Sequence, residues 1–212
     1  MVYGFPGSTR EYLFSDAVKY TAYTSNPHKI ALRTLRLDIQ KEEMNKDQAV
    51  RIKYASKQAR VANAWKKWQG EAKGIIKNHA VENKQAFEAK FDEWAKGKPE
   101  YEGLVARFKE LYASIEELSL VQDYQTEALN AVEIIGFAGR GQRGADLFYK
   151  DYYMPIDKAS FIALYNEYNK NIADQYKSPY FKEQLQKYGS IEAWADALFT
   201  ETPNLEMAAE IY

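Results

Sequence analysis

The residues that could do chemistry are few. Two histidines, His28 and His79, are the only imidazoles in 212 residues, and no cysteine accompanies them. Zinc takes three or four closely set His, Cys, Asp or Glu ligands, so this pair implies no metal site. The lack of cysteine excludes thiol catalysis, disulfides and thiolate ligation together. Ser8, Ser56 and Ser119 could in principle serve as nucleophiles beside a histidine. None stands in a G-x-S-x-G turn, so they read as capping or surface serines. The stretch GFAGRGQRG, residues 136 to 144, holds four of the 11 glycines and two arginines. It lacks the G-K-[ST] ending of a phosphate cradle and follows helix rather than strand, so it reads as a helix-to-helix loop. KQARVANAWKKW, residues 57 to 68, interleaves cations and aromatics as a single-strand nucleic-acid surface would, but it also fits a solvated helix face with two core tryptophans. Glu42 with Glu43 and Glu116 with Glu117 are adjacent pairs. Neighbours in sequence do not face each other on a helix, so paired-acid catalysis is not supported. No cofactor, metal or nucleic acid is expected.

The elements that must position these residues read as helical throughout. Ser15 is placed to cap a first helix through DAVKYTAY, and Asn26 with Pro27 reads as a cap and first-turn proline that restart the helix, giving a corner between two helices. Asp47 caps a long amphipathic helix in which Val50, Tyr54, Val61, Trp65 and Trp68 recur on one side. Gly70 and Gly74 weaken its second half, and the charged run Glu82 to Lys96 continues it or follows a bend. After Lys98 and Pro99, the residues Leu104, Phe108, Leu111, Ile115 and Leu118 form a short heptad seam. Bounded by Pro99, it predicts an antiparallel hairpin whose partner is the Asp47 helix. Helix then runs through LNAVEIIGFA until GRGQRG, and two more follow, from Asp157 to about Tyr176 and from Pro179 to about Phe199. No strand alternation of any length follows Tyr12, while Val2 to Phe5 could end a strand whose sheet lies elsewhere.

Composition sets the class. With 29 Lys plus Arg against 30 Asp plus Glu, the net charge of -1 offers no footprint for a polyanion. Hydrophobic residues make up 46%, enough for a sizeable core, and no run is long enough to span a bilayer. The 17 tyrosines, 10 phenylalanines and 4 tryptophans set against only 6 prolines imply long, Tyr-rich helices. Tyrosine has an apolar ring and a polar tip, so these side chains are expected at boundaries with water or with another domain. The fold class is all-α, an antiparallel bundle of long helices.

Two stretches carry a resemblance. GFPGSTREYLFSDAV at residues 4 to 18 and DQAVRIKYASKQARVANAWKK at residues 47 to 67 resemble the bacterial dipeptidyl peptidases of the family that includes dipeptidyl-peptidase 7 and dipeptidyl-peptidase 11. In that family a chymotrypsin-like double β-barrel is interrupted by a helical domain, entered through a G-x-P-G-[SR]-T turn. The resemblance implies that this chain is an excerpt: residues 1–14 form a linker turn leaving the barrel, and residues 15–212 form the helical cap domain, cut short at its C-terminal end. It implies a serine exopeptidase that removes dipeptides from free peptide N-termini, with the catalytic residues outside this segment. The cap would gate the cleft, and Asn63 would contribute to anchoring the substrate's α-ammonium. The look of GFPGSTREY leans towards Asp or Glu at the second substrate position over a hydrophobic residue. The further implied partners are the peptide substrate, the barrel of the same protein and a second copy in a homodimer, at a periplasmic or cell-surface location. The competing reading of the residues is a non-enzymatic helical interaction module, with Asn63 an exposed polar residue among Arg60, Lys66 and Lys67.

Overall fold

The computed structural model describes residues 13–212, and among these there is no strand, only an isolated bridge between Phe199 and Pro203. The expected strand tail at Val2 to Phe5 and the first twelve residues of the linker lie outside the described residues.

The chain enters helix α1 (Ser15–Tyr20), passes through a π turn (Thr21–Ser25) and continues as α2 (Asn26–Lys46) without a corner. The expected restart at Asn26 is therefore absent. A proline inside a helix clashes with the carbonyl four residues back, and the wider π turn immediately before Pro27 accommodates it without ending the rod. Nor is either predicted cap a cap. Phe14 holds the N-cap position, and the Ser15 amide and hydroxyl donate to the Glu88 carboxylate at 2.7 and 2.5 Å. Asn26 has helical dihedrals and donates its amide to Glu71 at 3.1 Å. Short polar side chains make whichever bond geometry offers, and here a carboxylate from another helix is in reach.

Asp47 alone joins α2 to α3 (Gln48–Lys77), and its carboxylate accepts from the Ala49 amide at 2.7 Å as a true N-cap. Asn26, at the start of α2, pairs with Glu71, whereas Arg33 and Thr34 further along reach back to Val61 and Trp65, earlier in α3, so α2 and α3 are antiparallel neighbours. Gly70 and Gly74 do not interrupt α3. It ends at Asn78, and His79 takes a left-handed conformation, φ 50°, before α4 (Ala80–Ala95).

The predicted hairpin between α3 and α5 (Leu104–Tyr124) does not form. The partner of α3 is α2, while α5 packs near α1, α4 and the π turn that follows it (Gln125–Leu129). Leu111 is 60% exposed and Leu118 52%, with Phe108 and Ile115 also exposed. Heptad spacing identifies an apolar stripe but not the surface that covers it, and a one-residue connection gives α2 the prior claim on α3.

The remaining helices surround an aromatic core. The expected continuous helix through LNAVEIIGFA is interrupted at residues 130–132, and α6 (Glu133–Gly139) starts afresh. Its first two amides, of Glu133 and Ile134, donate to the Asp157 carboxylate at 2.6 and 2.8 Å, so α8 caps α6 from a distance. After α7 (Ala145–Asp151) comes α8 (Met154–Asn171), shorter than expected at its C-terminal end. The predicted last helix is split by Gly189, φ 78°, into α9 (Pro179–Tyr188) and α10 (Ile191–Leu198), with Ser190 capping α10. Helix α11 (Leu205–Ile211) lies on α6, where Gly139 permits the approach: a Cβ there would lie 1.9 Å from the Tyr212 ring. Phe161 and Tyr165 stack with centroids 3.9 Å apart, and the Trp194 ring meets both edge-on at 5.3 and 5.6 Å. Tyrosines were expected at boundaries, yet Tyr54, Tyr124, Tyr165 and Tyr168 are all fully buried.

This packing sets a contrast that denaturant melts can read. Phe161→Ala should destabilise the fold by about 3–5 kcal/mol through cavity formation. Leu111→Ser, on the seam that pattern alone would place in a hairpin, should change stability by no more than about 0.5 kcal/mol. The reverse order would mean that α5 is covered in solution.

Candidate substrate-facing surface of helix α3

Helix α3 presents two different faces. Val50, Tyr54 and Val61 are buried and Trp65 and Trp68 half-buried, whereas Ile52, Ser56, Ala59, Asn63, Lys66 and Lys67 are exposed. At about 100° per residue, Asn63 lies across the helix from Val61. Its side chain makes no hydrogen bond to another described residue, so both amide oxygen and nitrogen face outward unengaged.

The inner face fixes where Asn63 sits. Arg33 of α2 donates to both Glu127 oxygens, at 2.8 and 2.9 Å, and to the Val61 carbonyl at 3.0 Å. Its guanidinium lies 4.5 Å from the Trp68 ring, and Lys29 approaches the same ring at 4.7 Å. Trp65 donates its indole N–H to Thr34 at 2.9 Å. The carbonyl that Arg33 grips belongs to a residue two positions before Asn63, so the candidate anchor rides on a helix held both axially and rotationally.

Beside this surface, α2, α3 and α6 border an open depression of about 390 Å³ lined by Arg33, Arg36, Gln40, Lys57, Arg60 and Glu133. Lys57 reaches Glu133 at 2.5 Å and the Asp151 carbonyl at 2.8 Å. Burial draws the Arg36 guanidinium below its ordinary pKa, against the opposing pull of Glu127, Glu133 and Asp157. Asp157, beneath this region, is pushed up to about 7 by burial and by the Glu133 charge, although the two α6 amides and Tyr152 favour its ionised form. Sequence reading missed this depression. Its signal is the spacing of Arg33, Arg36 and Gln40 on α2 against Lys57 and Arg60 on α3, which becomes meaningful only when those helices are known to be neighbours.

The other chemical candidates are engaged in structure. His28 pairs with the Tyr124 hydroxyl at 2.8 Å, His79 forms the α3–α4 junction, and among the described residues no His, Asp and Glu group is arranged for a metal. Ser119 donates to the Ile115 carbonyl of its own helix, and Ser8 lies outside the described residues. The GRGQRG segment closes α6 and leads into α7 as a turn, with Gly141 and Gly144 at positive φ. Trp65 and Trp68 are committed to α2, Trp65 through Thr34 and Trp68 beneath Lys29 and Arg33, so neither ring is displayed for a nucleic-acid base. Glu42 and Glu43 both pair with Lys46, and Glu117 accepts from Tyr176. Among the described residues, no helix is long and apolar enough to cross a membrane.

The sequence profile of peptidase S46 matches residues 1–146. The chain belongs to the peptidase S46 family. An Asp/Glu-specific dipeptidyl-peptidase of Capnocytophaga gingivalis is 45% identical over 130 residues, which cover 60% of this chain and 18% of that protein. A dipeptidyl-peptidase 7 of Porphyromonas gingivalis is 29% identical over 221 residues, covering 95% of this chain and 31% of the relative. The crystal structure of Porphyromonas endodontalis DPP11 in complex with the dipeptide Arg-Glu superposes with a TM-score of 0.78 at 23% identity, over 97% of this chain and 35% of that one. The S46 chain described here thus spans no more than about a third of the length of these relatives, and its helical fold is that of a segment of such enzymes.

The buried carboxyl makes stability depend on pH. Because the folded-state value of Asp157 lies above its unfolded value, its contribution is full below about pH 4 and is lost as pH rises through about 7. Between pH 5 and pH 8 the wild type should lose roughly 2 to 3 kcal/mol that Asp157→Asn does not lose. Urea melts of both proteins across this range measure it, and a pH-independent difference between them would overturn the assignment.

Proposed function

We propose that this segment is the helical cap of a serine-type dipeptidyl peptidase, gating a cleft in which dipeptides are released from free peptide N-termini. The observation that carries the proposal is Asn63, an unengaged amide on the outward face of a helix whose backbone is held by Arg33 at Val61. An exopeptidase that cuts after the second residue must hold the α-ammonium at a fixed distance from the scissile bond. That demands an oxygen acceptor on a rigid element, and the Asn63 amide oxygen supplies one. Asparagine in a helix interior is locally unfavourable, and no hydrogen bond to a described residue compensates for it here.

Membership of a peptidase family supports this reading over that of a stand-alone interaction module. The exposed apolar seam of α5 is consistent with it too, since a surface of that kind is normally covered. The rest of the same enzyme, a β-barrel carrying the catalytic residues, would be its neighbour. Relatives of both specificities match, Asp/Glu-specific dipeptidyl-peptidases and dipeptidyl-peptidase 7, so the proposed acidic residue at the second substrate position rests on the look of GFPGSTREY alone. A periplasmic or cell-surface location and a homodimeric enzyme complete the proposal.

The 212-residue chain should not turn over dipeptidyl chromogenic substrates, because nucleophile and base lie elsewhere in the proposed enzyme. In the intact enzyme, loss of a hydrogen bond to a charged group worth about 1.5–3 kcal/mol should make Asn63→Ala lower kcat/KM roughly tenfold to a hundredfold, with an unchanged melt. Asn63→Asp keeps an acceptor and should retain substantial activity. Unchanged kinetics in the alanine variant would return Asn63 to the solvated face.

A further inference from the structure

We propose that Arg60, Lys66 and Lys67 select peptides whose first residue, the one that carries the free α-ammonium, has an acidic side chain. This charge requirement rests on the reading of Asn63 as the anchor for that ammonium, and it concerns the first substrate residue rather than the second.

Asn63 sits in a stretch without negative charge. Between Asp47 and Glu71 the sequence holds six cations and no Asp or Glu. Arg60 stands three residues before Asn63, Lys66 three after it and Lys67 four after it, spacings that bring side chains to one helix surface with Cβ atoms about 5–6 Å apart. All three are exposed, and none makes an ion pair with a described residue. Two acids of the neighbouring elements, Glu127 and Glu133, are already held by Arg33 and Lys57. Three cations around a neutral acceptor oppose the arrival of an ammonium. A peptide offsets that repulsion only with negative charge of its own. The first side chain branches from the carbon that bears the ammonium, so its carboxylate comes close to these cations whenever the ammonium is on Asn63. In an extended peptide the second side chain points to the opposite side, which leaves the first to face α3. An acidic first residue cancels the ammonium charge, a neutral one leaves it and a basic one doubles it. Preference should therefore fall in that order.

The test is kcat/KM of the intact enzyme at low ionic strength on free-amine dipeptidyl chromogenic substrates with Asp, Asn or Lys first. The second residue is held fixed, once as Glu and once as Leu, so that its own selection does not enter. Asp should exceed Asn by about threefold or more and Lys by about tenfold or more, and salt at about 0.5 M should compress the series by screening. Combining Arg60→Gln, Lys66→Gln and Lys67→Gln should bring Asp and Lys within about twofold of each other in a protein that melts as wild type does, since all three changes are exposed. Lys66→Glu with Lys67→Glu should invert the order. Lys73→Gln, about 15 Å along the helix from Asn63, should leave the series unchanged. Asn63→Ala keeps the two levels apart. If it lowers kcat/KM on every substrate while the wild-type series is flat, or while the triple variant keeps the preference, the charge requirement is overturned and the anchor stands. If it leaves the kinetics unchanged, the anchor is overturned and the charge requirement falls with it.

Discussion

The guanidinium of Arg33 is the point on which the arrangement turns. It spends its donors on the Glu127 carboxylate and the Val61 carbonyl while lying over Trp68. Three segments meet there: α2, α3 and the π turn after α5. Glu127 is itself buried, so without the arginine its charge would stand unpaired in a poorly solvated place. A buried ion pair of this kind adds little net stability over an apolar pair of similar volume. Its geometry is restrictive, however, because a planar fork that must reach two carboxylate oxygens and one backbone carbonyl allows little sliding or rotation of α3. The orientation of Asn63 and the sides of the basic depression both follow from that constraint.

The second dependence runs through Asp157. Its carboxylate receives the first two amides of α6, which tells the chain where to stop being α5 and its π turn and to begin again. Burying an acid there is unfavourable in itself, as its raised pKa records, and the two amide donors offset part of the cost. Around it Tyr54, Tyr152 and Glu133 crowd together, and desolvation displaces both tyrosine hydroxyls upward in pKa. The tyrosine-rich composition thus serves a dense interior as much as a surface.

What could be read from sequence divides by distance along the chain. Asp47 as an N-cap, the long α3, the all-helical class and the turn at GRGQRG are local matters, decided by residues a few positions apart. Ser15 and Asn26 look like caps by the same local logic, but each finds a carboxylate on a distant helix, Glu88 and Glu71, which no window contains. The heptad stripe of α5 was legible as a stripe and not as a contact. The break before α6 depends on Asp157, more than twenty residues away in sequence. Asn63 was singled out through a resemblance, and the structure adds that its amide is outward and unengaged. That Arg36 and Arg60 border one depression becomes visible only once α2 and α3 are placed side by side.

The single residue between α2 and α3 has a kinetic consequence. Asp47 brings two helices of 21 and 30 residues into antiparallel register with almost no loop to close, and the entropy of ordering a connection grows with its length. The hairpin's contacts nearest Asp47 therefore form between residues close in sequence, and they are available before the distant contacts of α5, α6 and α8. A chain organised in this way has a natural nucleus. Glu127 and its turn dock into the slot that α2 and α3 form between them.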